Sequence, residues 1–83
     1  MIFIPVWMEM LVLMKQGYNM HQISGMLCRT YSHIHKLKKA FLDKKWIVDK
    51  GRDGRERIID WTDTGNEIVY ACKNFLETVA ELK

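Results

Sequence analysis

Apolar and polar positions along this chain change period from block to block. From Val6 to Met14 the residues Val6, Trp7, Met8, Met10, Leu11, Val12, Leu13 and Met14 surround a helical axis instead of forming one stripe. Pro5 suits the first turn of such a helix, where its missing N–H leaves nothing unsatisfied. The pattern stops at Lys15, and Gly17 supplies a terminator. A helix that is apolar all round needs cover on several sides. In so small a domain, a second copy of the chain is the readiest source.

The next blocks are sparser. Asn19 is a good N-cap for a helix over 20–27, with Ile23 and Leu27 on one face. After a break at Cys28–Arg29, Thr30 can cap a third helix to about Lys44, turning Ile34, Leu37, Ala40 and Phe41 inward. Two short helices across so tight a turn predict a helix-turn-helix. Residues 46–61, WIVDKGRDGRERIIDW, then switch to strand period around Asp53-Gly54, a two-residue hairpin signal. A turn at those residues pairs Arg52 with Arg55, Lys50 with Arg57, Val48 with Ile59 and Trp46 with Trp61. All eight side chains then share one side of the ribbon, apolar at its root and cationic at its tip. A three-residue loop would instead pair Lys50 with Glu56 and Asp49 with Arg57. The first register is preferred because it gathers both tryptophans, Val48 and Ile59 against the core.

The last block opens with a capping-box spacing, Thr64 to Glu67, with Thr62 a rival cap, and predicts a helix to about Leu82. Ile68, Cys72, Phe75, Val79 and Leu82 recur at spacings of four and three, a coiled-coil-like seam widened by Val69 and Leu76. With the first helix this makes more apolar surface than the fold can cover. A homodimer through Trp7, Leu11, Ile68, Cys72, Phe75, Val79 and Leu82 is therefore expected.

Composition narrows the class. The 83 residues make one domain, and 48% hydrophobic content argues against disorder. The net charge of +3 hides an asymmetry. Between Arg29 and Arg57 ten Lys/Arg face four Asp/Glu, a net of +6; elsewhere three bases face six acids, a net of −3. No acid lies between Gln22 and Asp43. A concentrated positive segment predicts a polyanion-facing surface; the competing reading is a solvated basic face. The opening apolar run lacks a cationic leader and a cleavage site, and Lys15 and Gln16 end it short of a span, so no membrane segment is expected. Cys28 and Cys72 form no CxxC pair, consistent with a reducing, cytoplasmic setting.

On the third helix, the wheel opposite Ile34, Leu37 and Phe41 carries Ser32, His35, Lys36 and Lys39. His33 and Arg29 fall on one flank, Tyr31 and Lys38 on the other. His33 and His35 diverge by about 200°, too far to share one ion. No nucleophile–base pair, phosphate loop or paired carboxylates stand out, so neither enzyme nor cofactor is expected.

Helix, helix-turn-helix and basic hairpin together form the layout of a winged helix-turn-helix, an α+β fold with a three-helix core, a two-stranded wing and a C-terminal helix. Over about 19–65 the sequence resembles the MarR-like branch and the compact winged-helix regulators of archaeal type. The stretch DGRERIIDWTDTG is similar to the family's wing-to-helix signature through Asp53, Arg55, Trp61 in the Leu position, Thr62 and Gly65. ISGMLCRTYSHIHKL is similar to its helix-turn-helix run, with Ile23, Leu27, Ile34 and Leu37 in the apolar positions. Cys28 stands where the family has its turn glycine, and Lys45 where a glycine commonly precedes the first wing strand. The resemblance implies a sequence-specific regulator of double-stranded DNA, acting as a dimer, with the third helix in the major groove. Its contacts would come from Thr30, Tyr31, Ser32, His33, His35 and Lys36, with Lys39 on phosphate. Arg55 would lead the wing, supported by Arg52 and Arg57, on the backbone or in the minor groove. MarR-like chains are longer and build an effector pocket from extra helices, so a small-molecule effector is not expected here. A winged-helix module that binds protein instead of DNA is the alternative.

Overall fold

The computed structural model describes residues 4–53 and 56–81, and the side chains of 52–58 fall outside that description. Three helices come first: α1 (Val6–Lys15), α2 (Met20–Leu27) and α3 (Tyr31–Asp43). A hairpin of β1 (Ile47–Asp53) and β2 (Glu56–Trp61) follows, and α4 (Asp63–Glu81) closes the described chain. No helix among the described residues is long and apolar enough to cross a membrane.

All three of the first helices end the same way. Gly17, Cys28 and Lys45 each adopt positive φ, at 101°, 54° and 60°. The N–H of the following residue reaches back to a carbonyl five residues earlier: Tyr18 to Leu13, Arg29 to Ser24, Trp46 to Phe41, at 3.0–3.2 Å. Each is a Schellman closure, which satisfies carbonyls that the helix end would otherwise strand. Only Gly17 has the residue type that does this without strain. Cys28 and Lys45 take the left-handed shape with a Cβ, at a cost of about 1–2 kcal/mol each. At Lys45 the gain is visible. The turn folds Trp46 back so that its ring stacks on Phe41 at 5.5 Å and meets Trp7 at 5.7 Å.

The core is Met10, Leu11 and Met14 of α1, Ile23 of α2, Ile34 and Phe41 of α3, Ile47 of β1, and Val69 and Cys72 of α4. Helix α1 lies against both α2 and α4, so much of its all-round apolar surface is covered within one chain. Leu11 is 0% exposed, Cys72 3% and Val79 5%. These three, expected at a dimer face, are instead covered by the chain itself. The buried stripe of α4 runs Gly65, Val69, Cys72 and Val79, with Leu76 half-buried. Val69 and Leu76 thus occupy the line expected for Ile68 and Phe75. The seam is rotated because Gly65, not a larger residue, meets the rest of the fold first.

Gly65 and Thr62 fix that approach. A Cβ at Gly65 would stand 1.9 Å from the Trp46 carbonyl oxygen. The Thr62 hydroxyl accepts from Gly65 N–H at 3.0 Å, and its Oγ1 stands 2.7 and 3.0 Å from the Lys45 and Trp46 carbonyl oxygens, either of which can take its one proton. Thr62 N–H also donates to Trp46 O, at 3.1 Å. Thr62 is therefore the N-cap of α4, and Thr64, the expected cap, lies inside the helix.

The wing departs from the expected register. Ile47 pairs with Trp61, Val48 with Asp60, Asp49 with Ile59, Arg52 with Arg57 and Asp53 with Glu56. The shift between Asp49 and Arg52 is a bulge centred on Gly51, with φ 98° and its N–H donating to Asp49 Oδ1 at 2.8 Å. A glycine within a strand pattern is the sequence mark of such a bulge. Neither register drawn from alternation included one. Val48 therefore faces Asp60 and not Ile59, the joint result of the tip register and the bulge, and Trp46 precedes the strand instead of facing Trp61. Asp53 is the last residue of β1 and pairs with Glu56, so it is not the expected turn residue; Gly54 lies outside the described residues.

Candidate nucleic-acid interface

The capping of α2 and α3 orients the candidate surface. Asn19 Oδ1 accepts from Gln22 N–H at 2.8 Å while Gln22 Oε1 accepts from Asn19 N–H at 2.9 Å, a complete capping box. Thr30 Oγ1 accepts from His33 N–H at 3.1 Å and starts α3. Thr30 is exposed, but its oxygen serves this cap, so its first duty is to set the helix start.

Burial on α3 divides the helix cleanly. Ile34, Lys38 and Phe41 are buried, and Leu37 is half-buried. Ser32, His33, His35, Lys36 and Lys39 are all exposed. At about 100° per residue, Ser32, His35, Lys36 and Lys39 fall within an arc of roughly 100°, opposite the buried side, with His33 on the flank about 60° beyond it. The arc presents two ammonium groups, an imidazole and a hydroxyl, and the flank adds the second imidazole. Every one of these side chains can donate a hydrogen bond, and only the neutral imidazoles and the hydroxyl also accept. It is a surface fitted to acceptor-rich anions.

Lys38 corrects the sequence expectation of a solvent-side flank: it is only 8% exposed and engaged by the protein. Its spacing from Ile34 and Phe41, four and three, places it on the core side. The (CH₂)₄ stem of a lysine can be buried in this way when the head group finds a partner. The cationic face of α3 therefore holds one lysine fewer than the sequence offers.

Tyr31 brings a constellation that linear spacing did not reveal. Its ring stacks on His21 of α2, centroids 4.3 Å apart and planes at 22°. It meets His35 of its own helix edge-on at 4.4 Å. His21 lies ten residues before Tyr31, across the helix-turn-helix, so only the packing of α2 on α3 joins them. The spacing of Tyr31 to His35, one helical turn, was the readable half of this signal.

On the wing, Arg52 and Arg57 are direct cross-strand partners in the ladder, while Arg55 lies outside the described residues. Lys50 sits in the bulge, not opposite Arg57. At the root, Lys15 Nζ donates to Asn66 Oδ1 at 2.8 Å and lies 5.2 Å from the Trp61 ring, tying α1 to α4 and β2. Lys44 lies 5.8 Å over Trp46. These two cations stabilise the wing root instead of facing outward as free ligands.

Of the residues expected at a dimer face, Trp7 is half-buried against Trp46, Ile68 is half-buried, and Phe75 is 41% exposed. Leu82 lies outside the described residues. A shallow recess of about 340 Å³, lined by Glu9, Val12, Leu13, Met26, Leu27 and Leu76, opens between α1, α2 and α4. Among the described residues no cluster of His, Cys, Asp or Glu is arranged to hold a metal ion.

No protein-family model matches the chain, and no curated protein matches it in sequence. The fold is similar to a solved structure of a mutant of S. aureus MepR, a MarR-family winged-helix regulator. The TM-score is 0.70 at 20% identity, over 96% of this chain and 63% of the other. The architecture is a winged helix. The chain thus spans somewhat under two thirds of the length of that regulator.

Proposed function

We propose that this protein is a sequence-specific regulator of transcription that binds double-stranded DNA as a homodimer. Helix α3 enters the major groove, and the wing lies on the backbone or in the adjacent minor groove. One observation carries the reading: on a winged-helix fold, the exposed arc of α3 is made entirely of donors, and no acid lies between Gln22 and Asp43. An α-helix fits the major groove of B-DNA, and its first turns meet base edges. Ser32, His33, His35 and Lys36 are the base-reading candidates, and Lys39 contacts phosphate. Arg55, Arg52 and Arg57 supply the wing's charge. A cytoplasmic setting follows from that role. The similarity to MepR supports the reading at the level of fold.

The test is binding to random duplex DNA at two salt concentrations, followed by selection of bound fragments. Log affinity should fall with log salt by about 0.9 per phosphate neutralised. Arg55→Ala should lower affinity and reduce that slope. Lys36→Ala should relax the preference at one position per half-site, by about 1–3 kcal/mol of discrimination. Selected sites should be inverted repeats with half-sites roughly one helical turn apart. Salt-independent or absent binding sinks the reading. It would favour an interaction module that docks protein on the exposed Met26, Tyr70 and Phe75.

A further inference from the structure

We propose that Tyr31 is a positioning residue that sharpens sequence selectivity: its ring holds the His35 imidazole in one orientation against the groove. The proposal rests on α3 being the DNA-reading helix. Tyr31 is the first residue of α3, and the Thr30 cap fixes the turn that carries it. His35 lies one turn later on the same flank. Helical side chains lean toward the N-terminus and onto the residue four positions before, so His35 leans onto Tyr31. The 4.4 Å edge-on contact is the result. His21 of α2 also stacks on the Tyr31 ring at 4.3 Å, so Tyr31 cannot swing away without leaving α2. Tilted and offset ring pairs at such separations are favourable arrangements.

The chemical consequence concerns which edge of the imidazole meets a base. An exposed histidine on a helix divides between two χ1 wells and a broad χ2. A neutral imidazole has one donor nitrogen and one acceptor, so a freely turning ring offers either to whatever base is present. A ring held by Tyr31 offers one edge. No carboxylate on α2, or on α3 before Asp43, competes for its N–H. Fixing the ring before binding also removes the ordering that the contact would otherwise require. Tyr31 is 40% exposed, yet its ring is in contact with both imidazoles. It therefore acts through His35 and not as a base reader itself.

The experiment is selection of bound fragments from random duplex DNA by the full chain and by Tyr31→Phe, Tyr31→Leu and His35→Ala. His35→Ala should flatten the preference at one position per half-site. Tyr31→Leu should weaken the preference at that same position by about two- to tenfold, leaving the others unchanged, and Tyr31→Phe should preserve it. In the free proteins, the ring-current shifts of the His35 imidazole protons should survive in Tyr31→Phe and vanish in Tyr31→Leu. A Tyr31→Leu variant that keeps the preference, or loses affinity equally at every position, overturns the proposal. Loss in Tyr31→Phe overturns it too, by assigning the effect to the hydroxyl. A parent chain that selects no sequence overturns the DNA reading itself; a selecting parent with an indifferent Tyr31→Leu overturns only the role of Tyr31.

Discussion

Replacing Gly65 with Ala tests the joint between wing and last helix. The added Cβ would lie 1.9 Å from the Trp46 oxygen and 2.7 Å from its carbonyl carbon, both backbone atoms that cannot rotate aside. Restoring contact distance requires α4 to retreat by about 1 Å or more. That retreat breaks the Thr62 N–H bond to Trp46, now 3.1 Å, and the hydroxyl's single donation to the Lys45 or Trp46 oxygen. Two such bonds contribute about 1 kcal/mol each. Overpacking adds about 1–3 kcal/mol, and the better helix propensity of Ala returns about 1 kcal/mol. The expected loss is about 2–4 kcal/mol, a large share of the stability of an 83-residue domain. Equilibrium urea unfolding at fixed protein concentration measures it, and Trp7, Trp46 and Trp61 give the fluorescence signal. The midpoint should drop by roughly 1–3 M. Gly25→Ala is the control: it is helical and exposed, and its Cβ would meet nothing within 4 Å. It should stabilise by about 0.4–1 kcal/mol. If Gly65→Ala unfolds at the parent's midpoint, or both variants move together, the close approach is not a feature of the folded protein.

Other expectations follow from the same geometry. Lys45→Gly and Cys28→Gly should each raise stability by up to about 1 kcal/mol, since relief of left-handed strain outweighs the entropy of Gly; a lower thermal midpoint at either position refutes its positive φ. A thiol reagent should label exposed Cys28 at once and buried Cys72 only after unfolding. Burial pushes the Cys72 thiol up. The stability linked to it should be whole below the unfolded thiol's pKa, about 8.5, and decline as pH rises toward the higher folded value. Above that pH the parent should therefore lose more stability than Cys72→Ala. Phe75→Glu should yield a folded monomer at concentrations where the parent is dimeric, measured by light scattering. Leu11→Ala should instead lose about 2–5 kcal/mol of fold stability, because Leu11 belongs to the chain's own core.

What local chemistry alone determined is substantial. Local signals placed all four helices: an all-round apolar run between Pro5 and Gly17 for α1, and apolar stripes with their caps for α2, α3 and α4, each written within neighbouring residues. Asn19 and Thr30 cap where their side chains predict, and Gly17 ends α1 as its freedom at positive φ allows. The exposed donors of α3 were legible for the same reason: once Ile34 and Phe41 turn inward, helix geometry turns Ser32, Lys36 and Lys39 outward.

Only the assembled fold decided the rest. Cys28 and Lys45 accept a backbone shape that their residue types disfavour; the residue after each closes a bond to a carbonyl five positions earlier, and at Lys45 the turn also brings Trp46 onto Phe41 and Trp7. Pairing at the tip begins at Asp53–Glu56 instead of Arg52–Arg55, and the bulge at Gly51 shifts the register once more, so every predicted wing partner moves. Lys38 lies on the buried side of α3 instead of its flank, and Leu11, Cys72 and Val79 are covered within the chain, where α1 packs on both α2 and α4. The contact of His21 with Tyr31 exists only once α2 packs on α3. Short-range rules fix which elements form, whereas the distances between elements fix which of their side chains remain free to meet another molecule.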